Sequence, residues 1–271
     1  MAGLPKTPWL WFDFSQGNYD PVKKEAPNLG SGGGNNLICG PSVSFHSNIN
    51  NGVAIFNNID RSSGISAQFD PSNSPTVLHL DRSVMITFAL PMGIEGDLEG
   101  GERSLFHFGW RGGNGVGLSF NRINGTFTEM NVNKCAYLQT QGFKDAGHNM
   151  SNHPQSKIFY TYIFTSSLND GLVHYKIYDH YNQSFIWDFG YTLEYSSIPH
   201  FFRTYAGTSG PIKEPQFDKV TLANHTGSPA NNSLNCYIAN IAYWTCGMSQ
   251  NQMNTVVDCL KHRFSQTPKL P

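Results

Sequence analysis

Three carboxylates spaced two apart, Glu95, Asp97 and Glu99, form the pattern in this chain that comes nearest to a catalytic set. In an extended segment alternate side chains share a face, so all three would project together. Two such groups can act as nucleophile and general acid on a glycosidic bond, while the third tunes their proton affinities. The flanks argue against that chemistry. Pro91-Met-Gly93 precedes the triplet and Gly100-Gly101 follows it, and a glycine-bounded loop does not hold carboxylates to the tolerance catalysis needs. No neighbouring tryptophan would stack a sugar ring. The expectation is a solvated acidic loop, with no catalytic residue assigned.

Two other groupings suit binding rather than bond breaking. Trp110-Arg111-Gly-Gly-Asn114 puts an aromatic ring, a guanidinium and an amide on one short turn, and Phe202-Arg203-Thr-Tyr205 repeats the theme. Glycans are held by an aromatic face and a few fixed polar groups, so Trp110, Arg111, Asn114, Arg203 and Tyr205 are the candidate ligand residues. The competing reading buries Trp110 in the core, where large aromatics usually go. Asn57, Asp60 and Asp70 are the candidate oxygen ligands for a calcium ion at a loop rim, against the commoner use of such side chains to close turns. Other enzyme signatures are absent: there is no Gly-x-Ser-x-Gly, no His-Glu-x-x-His and no phosphate-cradling loop, because Gly30 to Gly34 lacks the Gly-Lys-Ser/Thr ending. His107 and His174 fall in strand-like segments, where a hydrogen-bonded sheet histidine is expected.

The elements that must position these groups read mostly as strands. Trp9 to Phe14, Val43 to Phe45, Val53 to Phe56 and Ile65 to Phe69 are short apolar runs. Ser83 to Leu90 alternates Val84, Ile86, Phe88 and Leu90 on one face with small or apolar residues on the other, which predicts a strand covered on both sides. Ser104 to Trp110 and Gly115 to Phe120 flank Arg111-Gly-Gly-Asn114 as a hairpin. Ile158 to Thr165 and Leu172 to Tyr178 follow, then weaker candidates at Phe185 to Phe189, Phe201 to Tyr205 and Phe217 to Leu222. One helical period closes the chain. After the strand Cys236 to Trp244, Ser249 and Gln252 read as a capping box, and Met253, Val256, Val257 and Leu260 form one apolar stripe. The spacing predicts a helix covering a sheet edge or a gap between sheets.

Composition agrees with that pattern. Charged residues make up 14% of the chain, with 12 Tyr and 19 Phe, and the net charge is −1. No basic field supports a nucleic-acid partner. No apolar run approaches the roughly 20 residues a bilayer span needs, so no membrane insertion is expected. The N-terminal Met-Ala-Gly-Leu-Pro shows no leader pattern, which predicts synthesis in a cytosol. Cys39, Cys135, Cys236, Cys246 and Cys259 lack zinc spacing and are expected as free thiols, with a Cys246–Cys259 bridge as the alternative. Five Asn-x-Ser/Thr triplets, at Asn124, Asn149, Asn182, Asn224 and Asn231, are expected by chance in so Asn- and Ser-rich a chain.

The layout resembles the laminin-G-like or concanavalin-A-like family. The residues carrying the likeness are Trp11-Phe-Asp-Phe14, the Gly/Asn loop Gly32 to Asn36, Gly52-Val-Ala-Ile-Phe56, Val84-Met-Ile-Thr-Phe88 and the terminal strand and helix from Ile238 to Leu260. The resemblance spans roughly residues 8–262 and implies an all-β, two-sheet antiparallel jelly-roll sandwich with one short C-terminal helix. Glu95-Gly-Asp97-Leu-Glu99 is similar to the string of jelly-roll glucanases of the laminarinase type. Where the family usually carries an acidic residue, this chain has Asn240.

The expectation is one domain over residues 1–271, with a core from about 8 to 262 and short proline-bearing tails. Its expected role is a non-enzymatic structural or interaction module on the surface of a phage or virus particle, made in the host cytosol. Its partners would be other subunits of the assembly or itself, and cell-surface glycans. A free, extracellular lectin-like protein is the alternative, and a glycan hydrolase using Glu95, Asp97 and Glu99 the third. No cofactor is assigned beyond the candidate calcium ion.

Overall fold

The structure, a computed structural model, describes residues 6–32, 34, 36–56, 67–69, 76–77, 82–91, 101–109, 115–123, 126–132, 157–167, 172–192, 216–217, 219–223 and 234–264. In chain order the strands are β1 (Leu10–Asp13), β2 (Glu25–Ala26), β3 (Leu37–Cys39), β4 (Val43–His46), β5 (Val53–Phe56), β6 (Ala67–Phe69), β7 (Thr76–Val77), β8 (Arg82–Ala89) and β9 (Gly101–Gly109). They continue with β10 (Gly115–Ile123), β11 (Thr126–Val132), β12 (Phe159–Ser167), β13 (Leu172–Asp179), β14 (Ser184–Thr192), β15 (Gln216–Phe217), β16 (Lys219–Leu222) and β17 (Cys236–Trp244). The one helix among the described residues is α1 (Gln250–Phe264).

Two large antiparallel sheets stack face to face. One runs β14-β13-β12-β8-β17-β5-β4, with β1 also paired to β17, and the other runs β11-β10-β9-β16-β6-β3-β2. Between them Phe12, Phe56, Ile86, Phe88, Tyr162, Phe106, Val220, Leu222 and Ile238 belong to one buried cluster. An all-β sandwich with a C-terminal helix is therefore the architecture. Strand β8 is buried along its whole length, because Val84, Ile86 and Phe88 face the second sheet while Met85 and Ala89 face a second cluster on the outer side.

That outer cluster corrects the place expected for the helix. Rather than closing an edge or gap, α1 lies on the outer face of the eight-stranded sheet. Met253, Val256, Val257, Leu260 and Phe264 pack there with Val53, Met85, Ala89, Phe159, Ile163 and Trp244. The capping box forms as the spacing predicts: Gln252 Oε1 accepts the Ser249 N–H at 2.8 Å, and Ser249 Oγ accepts the Gln252 N–H at 3.3 Å. At the other end Arg263 pins the helix. Its guanidinium reaches Asp13 Oδ1 at 2.9 Å and the carbonyls of Asn50 at 3.0 Å and Gly52 at 3.1 Å.

The strand ends define two rims. Lys157 N–H bonds Leu90 O, and Cys236 opens β17 opposite Phe56. Call this the Leu90 rim. At the opposite rim Trp244 pairs with Ser83, and Leu172 with Thr192. The second sheet is oriented by two bonds, Leu234 N–H to Ala223 O and Ala223 N–H to Leu105 O. They set the end of β16 at the Leu90 rim, so Gly109, paired with both Gly115 and Lys219, points to the Trp244 rim.

Candidate functional site

All the residues singled out for ligand or metal chemistry fall outside the described residues, but the strands that carry their segments are placed. Strand β9 ends and β10 begins at the Trp244 rim, with Gly109 directly opposite Gly115. The pairing is that of the hairpin read from the sequence, and Trp110, Arg111 and Asn114 lie in the chain between these two strands, outside the described residues. Strand β14 ends at the same rim, and Arg203 and Tyr205 lie in the segment that follows it. The carboxylates Glu95, Asp97 and Glu99 belong to the connection from β8 to β9, which leaves from the Leu90 rim. Strand β5 ends at the Leu90 rim and β6 at the Trp244 rim, since Phe69 pairs with Val220. Asn57 and Asp60 thus follow one rim and Asp70 the other. Among the described residues no cluster of His, Cys, Asp or Glu would hold a metal ion.

The polar chemistry that is visible lies under α1. Strands β8, β12 and β13 turn Ser83, Thr87, Thr161, Thr165, His174 and Lys176 toward the helix, as does His180 just after β13. Each is buried, so each needs a partner. Thr87 Oγ1 and Thr161 Oγ1 are 2.9 Å apart, and His180 Nε2 lies 2.8 Å from Thr161 Oγ1. Ser83 Oγ donates to Cys246 O at 2.9 Å, and Thr165 Oγ1 accepts the Met248 N–H at 2.7 Å, fixing the turn into the helix. The Thr161–His180 pair has the spacing of a nucleophile and its base. Both members are sealed between sheet and helix, where no substrate meets them, and burial pulls the His180 pKa down to about 3. Its role is structural.

A second network gathers at the edge strand. His174 Nε2 donates to Asp188 Oδ1 at 2.6 Å and Lys176 Nζ to Asp188 Oδ2 at 2.9 Å, while Lys176 also reaches Asn254 Oδ1 of α1 at 3.0 Å. Burial raises the Asp188 pKa, but the bonds from Lys176 and His174 outweigh it and hold the carboxyl below its usual range. His174 is thus the hydrogen-bonded sheet histidine that the sequence predicts. Asn240, the residue standing where the resembled family is usually acidic, is buried under the helix, and neither of its amide atoms has a partner among the described residues. Cys39, Cys236, Cys246 and Cys259 form no disulfide among the described residues, so Cys246 and Cys259 are not bridged.

One exposed constellation escaped the sequence reading. The turn from β13 to β14 presents Tyr181, Asn182, Gln183 and Ser184 to solvent at the Leu90 rim. The signal was Asp179 two and three residues before the N–H groups it binds, an Asx turn. Fixed between two recognised strands, the segment passed as a plain connection.

No family model and no curated protein matches the chain. Among solved structures it is similar to the binding domain of botulinum neurotoxin serotype D, with a TM-score of 0.55 and 10% identity over 96% of this chain and 52% of that one. It is also similar to Trypanosoma rangeli sialidase in complex with sialic acid, with a TM-score of 0.52 and 11% identity over 98% of this chain and 33% of that one. The chain spans about half the length of the first and a third of the second. At such identities the likeness is one of fold.

Proposed function

We propose that this chain is a non-catalytic, lectin-like β-sandwich module that binds a glycan through loops at the Trp244 rim. The observation that carries the reading is the common direction of two strand ends: the β9–β10 hairpin and the segment after β14 leave from the same rim. The segments that carry Trp110, Arg111, Asn114 and Arg203, Tyr205 in the sequence are therefore attached at one side of a rigid scaffold, and loops so attached are where binding sites commonly form. The fold's occurrence in a toxin binding domain supports a binding role, and its occurrence in a sialidase complexed with sialic acid supports a carbohydrate ligand. Membership of the concanavalin-A-like or laminin-G-like group is part of the same proposal.

The polar groups with nucleophile–base geometry are sealed beneath α1, which favours binding over hydrolysis; Glu95, Asp97 and Glu99 leave from the opposite rim. The module's place, in this proposal, is the surface of a phage or virus particle, in company with other subunits. Four described cysteines that form no disulfide support assembly in a reducing cytosol. A glycan array tests the binding. A hit that Trp110→Ala abolishes and Glu95→Gln leaves untouched supports the reading, whereas turnover of a polysaccharide that Glu95→Gln abolishes would replace it with the hydrolase. Mass spectrometry of purified particles against secreted fractions tests the location.

A further inference from the structure

The β13–β14 turn is built to hold a ring out in water. The Asp179 carboxylate is itself buried and spends both oxygens on the turn. Oδ1 accepts the N–H groups of Tyr181 at 2.8 Å and Asn182 at 2.9 Å, and Oδ2 accepts Asn182 Nδ2 at 2.9 Å. Gln183 completes the reversal at φ 52°, in the left-handed region that a glutamine adopts reluctantly. On this frame Tyr181 is 56% exposed, one of three large apolar side chains so exposed among the described residues. Around it stand the exposed polar side chains of Asn182, Gln183 and Ser184.

Two described cations lie near the turn: Lys261 of α1, whose ammonium stands 5.2 Å from the Tyr178 ring and is paired with Asp258 at 2.7 Å, and Lys157. Phe159 O accepts the His180 N–H at 3.1 Å, so the start of β12 runs beside the turn. Two residues earlier Lys157, left-handed at φ 65°, is tied by its N–H to Leu90 O at 2.7 Å. Asp179, the carboxylate of the turn, is occupied by the donors just named, and Lys261 is paired with Asp258, which leaves Lys157 as the cation near this turn that has no ion pair among the described residues.

We propose that this tip is a second carbohydrate subsite, at the rim opposite Trp110, that takes a pyranose bearing a carboxylate in preference to a neutral one. The Tyr181 ring offers an apolar face to the C–H side of the sugar, and its hydroxyl and the neighbouring amides offer donors and acceptors to the ring hydroxyls. Lys157 supplies the counter-charge for the sugar's carboxylate. Because the buried Asp179 already fixes the backbone, binding orders little beyond side chains. The inference rests on the carbohydrate-binding reading above but not on the loops of the Trp244 rim.

The test is saturation-transfer NMR and titration of the full chain with 3′-sialyllactose and with lactose, comparing wild type, Tyr181→Ala, Tyr181→Phe, Lys157→Ala and Trp110→Ala, with circular dichroism confirming each fold. Tyr181→Ala is expected to weaken sialyllactose binding about tenfold, the scale of one lost aromatic anchor. Tyr181→Phe should keep most of the affinity. Lys157→Ala should erase the preference for the acidic sugar and leave lactose binding unchanged. Binding that falls only in Trp110→Ala overturns this subsite and keeps the proposed function. Binding that falls only in Tyr181→Ala supports the subsite and removes the Trp244-rim loops from the reading. A wild type that binds neither sugar overturns the subsite, while a hit elsewhere on the glycan array would preserve the general reading.

Discussion

His180 makes the attachment of the C-terminal helix acid-sensitive in a measurable way. Its ring lies between Phe264 of α1 and Tyr178, at centroid distances of 5.0 and 5.1 Å, with Nε2 against Thr161. Burial first, and the charge of Lys261 second, lower its pKa from 6.5 to about 3. The unfolded chain then takes up a proton near pH 6.5 and the folded chain only near pH 3. The neutral ring's contribution is therefore whole above pH 6.5 and shrinks as the pH falls through the window down to about 3. At pH 5 the unfolded histidine lies about 1.5 pH units below its midpoint, and at 1.36 kcal/mol per unit the chain has lost about 2 kcal/mol. His180→Gln keeps an amide for Thr161 and removes the titration. Urea unfolding of both proteins at pH 8 and pH 5 isolates the effect, because every other titrating group is common to both. The stability gap between wild type and variant should narrow by about 2 kcal/mol at pH 5. An unchanged gap, or a His180 ring proton that titrates near pH 6.5 by NMR, would refute the reasoning.

Two further substitutions probe how α1 is held. Arg263→Ala removes three hydrogen bonds and leaves the partly buried Asp13 carboxylate without its cation, which should cost about 2–4 kcal/mol in urea unfolding. Arg263→Lys should recover little, since one ammonium cannot replace a fork aimed at three separate acceptors. Ser249→Ala strips the capping box and should cost about 1 kcal/mol, while Ser249→Asp, another good cap, should stay near wild type in thermal unfolding.

Much of this architecture was legible because its signals are local. Val84, Ile86 and Phe88 alternate with Met85 and Thr87, and a strand with both faces covered is the only place such a run fits. Ser249 and Gln252 announce the helix start by chemistry confined to one turn. The Gly109–Gly115 hairpin was likewise written in its Arg111-Gly-Gly-Asn114 turn. Strands β2, β7 and β15, two residues each, were not legible, because so short a pairing leaves no period to read.

What the amino-acid order determined by itself was the kind of each element, since period-two and period-3.6 patterning act over a few neighbouring residues. Which face the helix would cover was decided only in three dimensions. It took Ser83, Thr87, Thr161 and Thr165, from strands about eighty residues apart, to pair their hydroxyls into a surface that an apolar stripe could bury. Likewise Tyr181 became an exposed tip only once Asp179 was buried beside β12. Side-chain hydrogen bonds and burial depend on neighbours that sequence distance conceals, so the two rims and the Tyr181 tip belong to the tertiary structure.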